Sequence, residues 1–165
     1  MEGDSINIKK ESLSMKKYFL NLFAVGVMYF AAMGAALGQK TPQGVTYDAT
    51  IVRINDGDTV VISAPFLPAP LKPELAVRIF GVDTPEKNHL AKCESEKQRG
   101  LAATEFTKKM VGQSQQRQVV LYGWDKFGGR VLGDIVLDGK SLRSALIANG
   151  FAREYFGDAK QSWCN

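Results

Sequence analysis

The sequence predicts a small α+β domain in which short strands close into a barrel and helices pack against its side and one end. Five short segments are rich in β-branched residues, and two others have the apolar spacing of a helix. Their order along the chain is three strands, a helix, two strands and a second helix. In so small a domain, we expect the five strands to close into a barrel with two to three helices beside it.

Turn residues separate the predicted strands. Asp56 and Gly57 form a hairpin turn between the first and second strands. Four prolines between residues 64 and 73 exclude a central strand there, so we expect an exposed loop. The strands are predicted over residues 46–55, 59–63, 75–82, 117–124 and 130–137.

The longer helix is predicted over residues 94–111. Ala102, Phe106 and Met110 recur at helical spacing and are expected to form its packing face, and Gly112 is expected to end it. The shorter helix is predicted to begin after Ser141, whose side chain suits an N-cap, and to end at Asn149-Gly150.

Residues 1–38 are predicted to be a signal peptide, which leaves residues 39–165 as the folded domain. Two lysines precede an apolar run over residues 18–36, and small residues lie at its end, an order typical of export signals. Met15 stands directly before the two lysines and is an alternative start. Cleavage predicts a secreted or periplasmic protein, whereas an uncleaved segment over residues 18–38 would anchor it in a membrane.

The numbers of cysteine and histidine residues limit the kinds of site that this chain could form. Cys93 and Cys164 both lie in the exported part, and an even number in an oxidising compartment favours a disulfide, with two free thiols as the alternative. His89 is the one histidine in the sequence, which excludes a two-histidine acid–base pair and a histidine metal cluster within one chain. The formal net charge of +4 permits a polyanionic partner but does not by itself indicate one.

Two short sequence strings contain the acidic residues that are candidate metal ligands. Asp58 lies at the start of the second strand in N-D-G-D-T-V, and Asp83 ends the third strand in V-R-I-F-G-V-D-T-P-E. If these strands pair antiparallel, both carboxylates emerge at one end of the barrel. Such oxygen ligands suit Ca²⁺ or Mg²⁺, and the carbonyl of Thr84 is a further candidate ligand.

The neighbours of these acids point to phosphate chemistry. Glu86 beside a bound cation could orient or deprotonate a water molecule. Arg78 and Arg130 offer guanidinium groups that bind phosphate through paired hydrogen bonds. Because Arg78 precedes Asp83 by five residues, an ideal strand would place them on opposite faces, and a bend at Gly81 would be needed to bring them together.

At these residues the chain resembles the staphylococcal nuclease (thermonuclease-like) family. The strings D-G-D-T-V, V-R-I-F-G-V-D-T-P-E, E-F-T-K-K-M-V, D-K-F-G-G-R and A-L-I-A-N-G-F-A fall in the order of that family, across about residues 46–153. The segment C-x-x-E-K-Q-R-G-L and the closing W-C resemble a secreted bacterial subgroup, which supports the Cys93–Cys164 bridge. Gly128-Gly129 has one glycine more than the usual turn of the family.

The resemblance implies an OB-fold barrel and a Ca²⁺-dependent phosphodiesterase that cuts DNA and RNA with little sequence preference. No obligate protein partner is indicated, and we expect a monomer. The alternative is a catalytically silent OB-fold domain that binds single-stranded nucleic acid. The implied roles are calcium ligands for Asp58, Asp83 and Thr84, water activation for Glu86, and phosphate binding for Arg78 and Arg130. Separately from the resemblance, Lys126 and Tyr155 are expected to bind the substrate.

Overall fold

The computed structural model describes residues 42–164, so the predictions for the signal peptide, its start and its membrane anchor lie outside it. None of the helices in the described range has both the length and the apolar character needed to cross a bilayer. The strands are β1 Val45–Asp48, β2 Ile51–Asp56, β3 Thr59–Ser63, β4 Glu74–Ile79, β5 Val82–Asp83, β6 Arg117–Trp124, β7 Arg130–Leu137, β8 Lys140–Ser141 and β9 Arg153–Glu154, and the helices are α1 Glu94–Gln113 and α2 Leu142–Ala148.

The strands form an OB-like, barrel-shaped sheet. Its order is β1-β6-β7-β4-β3-β2, with β8 added beside β7. The strands β1 and β2 lie at opposite edges although only Ala49 and Thr50 separate them. Ala49 N–H donates to Arg117 C=O of β6 (2.8 Å), and Ser63 N–H of β3 donates to Thr50 C=O (2.8 Å). The two linking residues are therefore hydrogen-bonded to both edges of the sheet. The first predicted strand is thus divided in two, and the sheet is barrel-like without a closed ladder between its edges.

The barrel interior is filled by β-branched and leucine side chains, as the strand patterns predicted. In β4, buried and half-buried residues alternate along the strand, which is the period of a sheet with one face in the core. Each fully buried aliphatic side chain stabilises the fold by roughly 1.5–3 kcal/mol. The largest fully buried aliphatic residues include Val60, Val77, Ile79, Ile135, Leu142 and Leu146.

Helix α1 differs from the prediction in its end and in part of its packing face. It continues through Gly112 to Gln113, and Ser114 caps it by donating its backbone N–H to Val111 C=O. Ala102 is exposed, whereas Phe106 and Met110 are half-buried and pack against the core as predicted. The buried residues of the helix are Glu96, Gly100, Ala103, Thr104, Thr107 and Val111.

Small residues form this face because α1 lies directly on the backbone of both acidic strings. A Cβ on Gly100 would lie 2.6 Å from the carbonyl oxygen of Glu86, and a Cβ on Gly57 would lie 2.9 Å from the Cβ of Ala103. Thr107 Oγ1 also donates to Gly57 C=O (2.8 Å). The helix therefore fixes the position of both strings relative to each other.

The chain bends at Gly81, as the positions of Arg78 and Asp83 require. Strand β4 ends at Ile79, and Gly81 has a φ of +75°, a left-handed conformation that glycine adopts without strain. The next strand, β5, leaves the barrel and pairs with β9 in the C-terminal segment. Arg78 Nη2 donates to Val82 C=O (3.5 Å), so the bend brings the chain back over the arginine.

The remaining elements follow the prediction closely. Strands β6 and β7 have the predicted bounds, and Ser141 caps α2 by accepting a hydrogen bond from Ser144 N–H (3.1 Å). Cys93 is the N-cap residue of α1 and forms a disulfide with Cys164, with Cα atoms 6.0 Å apart. This bond fastens the end of the described chain to the start of α1.

Candidate active site

One cavity of about 590 Å³ is lined by residues from separate parts of the fold. Strand β4, the loop after β5, the β6–β7 hairpin and the C-terminal segment all contribute to it. A smaller cavity of about 250 Å³ contains Asp83 and Thr84 and shares Glu86 with the larger one. The sequence-predicted residues that line the larger cavity are Arg78, Glu86, Lys126, Arg130 and Tyr155.

Asp58 is buried and is held by the neighbouring strand. Strands β3 and β4 pair antiparallel with Thr59 opposite Arg78, which brings the Arg78 guanidinium to Asp58 Oδ1. Thr59 Oγ1 donates to the same oxygen (3.2 Å). Burial raises the pKa of Asp58 to about 7, although the charge of Arg78 acts in the opposite direction. The second oxygen, Oδ2, is buried and accepts no hydrogen bond from any described residue.

Asp83 is also buried, but its partners come from the C-terminal segment. Trp163 Nε1 donates to Asp83 Oδ2 (3.0 Å), and Lys160 Nζ lies 2.6 Å from Oδ1. Burial acts to lower the pKa of Lys160, but its contact with Asp83 and the charge of Glu86 outweigh this effect and raise it. Each of the two predicted carboxylate ligands is therefore balanced by a cation of its own.

The donor chemistry of this region fits a hard divalent cation. Asp58 Oδ2 and Asp56 Oδ1 are buried carboxylate oxygens without a hydrogen-bond donor among residues 42–164, and only Gly57 separates the two residues. Such an oxygen is costly to bury unless a donor or an ion balances it. Within the same range, the oxygens of Asp58, Asp83 and Glu86 do not all lie within 4.8 Å of one another. The sequence interpretation gave Asp56 a turn role alone and missed this feature.

Glu86 is half-exposed and stands between the two cavities. Its backbone N–H donates to Glu96 Oε1 (3.4 Å), a buried carboxylate at the start of α1. Gly100 also approaches this segment closely, because a Cβ there would lie 2.6 Å from the carbonyl oxygen of Glu86 and 2.7 Å from that of Pro85. Glu86 Oε1 lies 3.7 Å from Lys160 Nζ. Its backbone is thus held while its carboxylate remains accessible to water.

The β6–β7 hairpin carries Arg130 to the cavity. Gly128 and Gly129 adopt φ values of +65° and +69°, so the extra glycine is accommodated within the turn. Arg130 Nε donates to Asp125. Burial acts to raise the pKa of Asp125, but the hydrogen bond and charge of Arg130 outweigh it and leave the pKa below its ordinary value. The arginine is therefore oriented by an acid of its own hairpin.

Aromatic side chains stand around the charged groups. Trp124 and Phe127 are each 71% exposed, and both line the larger cavity together with Tyr155. Lys126 Nζ lies 5.1 Å from the centre of the Phe127 ring, and Arg130 Cζ lies 5.4 Å from it. Two aromatic residues beside a lysine in the string W-D-K-F were a signal for Trp124 and Phe127 that the sequence interpretation did not use.

The fold and the cavity define an OB-like α+β domain with a site of acids, arginines and exposed aromatic rings. The chain belongs to the Staphylococcal nuclease homologue family, whose model matches residues 76–163, just over half of the sequence. This confirms the family resemblance seen in the motifs.

The chain is also similar to a protein named as an endonuclease. Endonuclease YhcR of Bacillus subtilis (strain 168) is 27% identical to this chain over 115 residues. The match covers 67% of this chain and 9% of that protein, so the chain spans less than a tenth of the length of this relative.

Proposed function

We propose that this domain is a nuclease that hydrolyses phosphodiester bonds of DNA and RNA with little sequence preference and depends on Ca²⁺. The observation that carries the proposal is the single cavity lined by Arg78, Glu86, Lys126, Arg130 and Tyr155. Membership of the staphylococcal nuclease homologue family and the similarity to a protein named as an endonuclease support it.

The residues that would hold the cation are Asp58, Asp83 and the carbonyl of Thr84, with Asp56 beside them. Ca²⁺ suits this set because it accepts carboxylate and carbonyl oxygens in irregular geometry. When bound, the cation would supply positive charge that polarises the phosphate and makes water more acidic. The unbonded buried oxygens of Asp56 and Asp58 support this assignment.

The side chains around the cavity divide the remaining work. Glu86 offers an accessible carboxylate to take a proton from the attacking water. Arg78 and Arg130 stabilise the negative charge that grows on the phosphate oxygens in the transition state.

Substrate binding falls to the exposed rim of the same cavity. Lys126 neutralises a phosphate of the backbone, and Tyr155, Trp124 and Phe127 provide ring faces on which unpaired bases stack. Stacking is tolerant of base identity, which accounts for low sequence preference. All of these residues come from one chain, so a monomer suffices for the site.

The proposed place of action is outside the cytoplasm, in the periplasm or the medium. The Cys93–Cys164 disulfide is compatible with an oxidising compartment. The predicted signal peptide over residues 1–38 supports export as well.

A second candidate function is binding of single-stranded nucleic acid without cleavage. The observation that favours it is the pairing of each predicted carboxylate ligand with its own cation, Asp58 with Arg78 and Asp83 with Lys160. A binding domain would need the basic and aromatic groups of the cavity but no metal.

Replacement of one carboxylate oxygen of Glu86 by an amide nitrogen separates the two functions. We expect wild-type protein to digest single-stranded DNA in Ca²⁺ and to be inactive in EGTA. We expect Glu86→Gln to lower the rate by roughly 10²–10⁴-fold, because the amide cannot take a proton, while filter binding of DNA is retained. Glu105→Gln, at an exposed position on α1, is the control and should cleave like wild type.

Two results would contradict the proposal, the first by rejecting the nuclease and the second by rejecting its Ca²⁺ dependence and the role of Glu86. One is DNA binding by wild-type protein without cleavage in any metal, which would leave the binding function. The other is cleavage that survives both EGTA and Glu86→Gln, which would place the chemistry elsewhere.

A further inference from the structure

We propose that Lys160 is a further functional residue of this site: its ammonium group neutralises Asp83 until a divalent cation displaces it. The C-terminal segment would then set the affinity for the cation. This inference rests on the proposed function, because it takes Asp83 as a ligand of the metal.

The position of Lys160 carries the inference. Its Nζ lies 2.6 Å from Asp83 Oδ1 and 3.7 Å from Glu86 Oε1, so one ammonium group faces both a proposed ligand and the proposed water-activating acid. The Asp83 side chain is 6% exposed, whereas that of Lys160 is 46% exposed. The lysine therefore reaches the acid from solvent and can withdraw without disturbing the core.

The backbone after Lys160 is anchored, which keeps the ammonium close to the acids. Cys164 is bonded to Cys93, and the Trp163 indole donates to Asp83 Oδ2 (3.0 Å). Arg153 holds the same segment, with its guanidinium 3.8 Å from the centre of the Trp163 ring and a hydrogen bond from Nη1 to Ser162 C=O (2.9 Å). A tethered group of this kind acts at a high effective concentration.

The two cations compete for the same oxygen. Trp163 already donates to Oδ2 of Asp83, and Lys160 lies against Oδ1. An ammonium and a divalent cation at one carboxylate oxygen would repel each other strongly at such short range. Binding of the metal to Asp83 thus requires Lys160 to leave, and the loss of that ion pair weakens the net affinity.

Direct measurement of Ca²⁺ binding tests this competition. The full-length protein is stripped of metal and titrated with Ca²⁺ in a calorimeter as wild type, Lys160→Met and Lys92→Met. Lys92 is an exposed residue of the smaller cavity that contains Asp83, and its replacement removes the same charge as that of Lys160. We expect Lys160→Met to bind Ca²⁺ about fivefold tighter, the upper range for a partly exposed ion pair, and Lys92→Met to change the affinity less than about twofold.

A second measurement guards against misfolding of the variant. Lys160→Met without metal should unfold cooperatively, and saturating Ca²⁺ should raise its thermal midpoint more than that of wild type, because tighter binding stabilises the folded state more. Lys160→Arg, which keeps a cation at the acid, should bind Ca²⁺ as weakly as wild type.

The outcomes separate this inference from the proposed function. Equal affinities in the two methionine variants, or weaker binding by Lys160→Met, overturn the role of Lys160, while Ca²⁺-dependent cleavage by wild type leaves the nuclease standing. Wild-type protein that neither binds Ca²⁺ nor cleaves in its presence overturns both.

Discussion

Asp58 and Asp83 look alike in the sequence, yet the fold provides for them in different ways. Both are buried acids, one directly before the short strand β3 and the other at the end of the two-residue strand β5. Asp58 is paired with Arg78 on the adjacent strand of the barrel. Asp83 receives its partners, Lys160 and Trp163, from a segment about 80 residues further along the chain. Half of the site is therefore part of the barrel, and the other half is completed by the C-terminal segment.

Of the changes considered, removal of the disulfide should have the largest effect, because it releases the C-terminal segment that supplies the partners of Asp83. The bond joins residues 71 positions apart, and loss of a cross-link over such a loop costs about 4 kcal/mol in the chain-entropy account. We expect the double variant Cys93→Ser/Cys164→Ser to lose about that free energy of unfolding in urea.

The two tryptophans report where the change occurs. Trp163 is 7% exposed and Trp124 is 71% exposed, so release of the C-terminal segment should shift the fluorescence maximum of the folded protein to longer wavelength. A double variant with native stability and an unchanged emission maximum would show that the segment is held without the bridge.

The Asp58 half should be visible as a dependence of stability on pH. Its pKa is about 7 in the folded state against an ordinary value of 3.8, so the folded state binds the proton more tightly. In metal-free protein, this contribution is fully present below about pH 4 and is lost as the pH rises to about 7. We expect the free energy of unfolding to fall over this window by an amount on the order of 4 kcal/mol.

Urea midpoints in EDTA at several pH values measure this effect as a difference between variants. Asp58→Asn should lack the decline, whereas Asp48→Asn, an exposed acid on β1, should keep it. If Asp58→Asn and wild type give parallel curves, the carboxyl group does not titrate in that window.

The smallest expected effect tests the hydrogen bond that the Trp163 indole donates to Asp83. Trp163→Phe replaces the indole with a smaller aromatic ring and removes the hydrogen bond to Oδ2, and we expect a loss of about 1 kcal/mol in unfolding free energy. Trp124→Phe, at an exposed position, should alter stability by less than about 0.5 kcal/mol. Equal effects of the two substitutions would mean that the Trp163 hydrogen bond contributes nothing.

The sequence predicts the barrel well because its strands carry a regular pattern. Strands β6 and β7 have the predicted bounds, since each is a run rich in apolar and β-branched residues with turn residues on both sides. The packing face of α1 was predicted only in part, since Phe106 and Met110 pack against the core but the residues in closest contact with the barrel were missed, for a physical reason. Close contact with the backbone of Gly57 and Glu86 requires small residues such as Gly100 and Ala103, and a count of apolar residues favours larger ones.

The residues of the candidate site also differ in whether the sequence predicts them. The sequence could predict Asp58, Arg78 and Glu86 as site residues. They lie within 30 residues of one another, in short strings whose residue types indicate phosphate chemistry. Lys160 and Trp163 lie in an irregular segment without periodicity, and their contacts with Asp83 depend on a bend, a two-residue strand and a disulfide. No local pattern encodes such a contact.

The contact between Gly100 and the peptide of Glu86 has a practical consequence. A single methyl group at Gly100 would lie 2.6 Å from the Glu86 carbonyl oxygen, so the loop that carries this carboxylate would have to shift. Activity could then be switched off by volume alone, with every ionisable group of the protein intact. Such a variant would suit the trapping of an uncut nucleic acid, because the electrostatic attraction that draws the ligand in would be that of the native molecule.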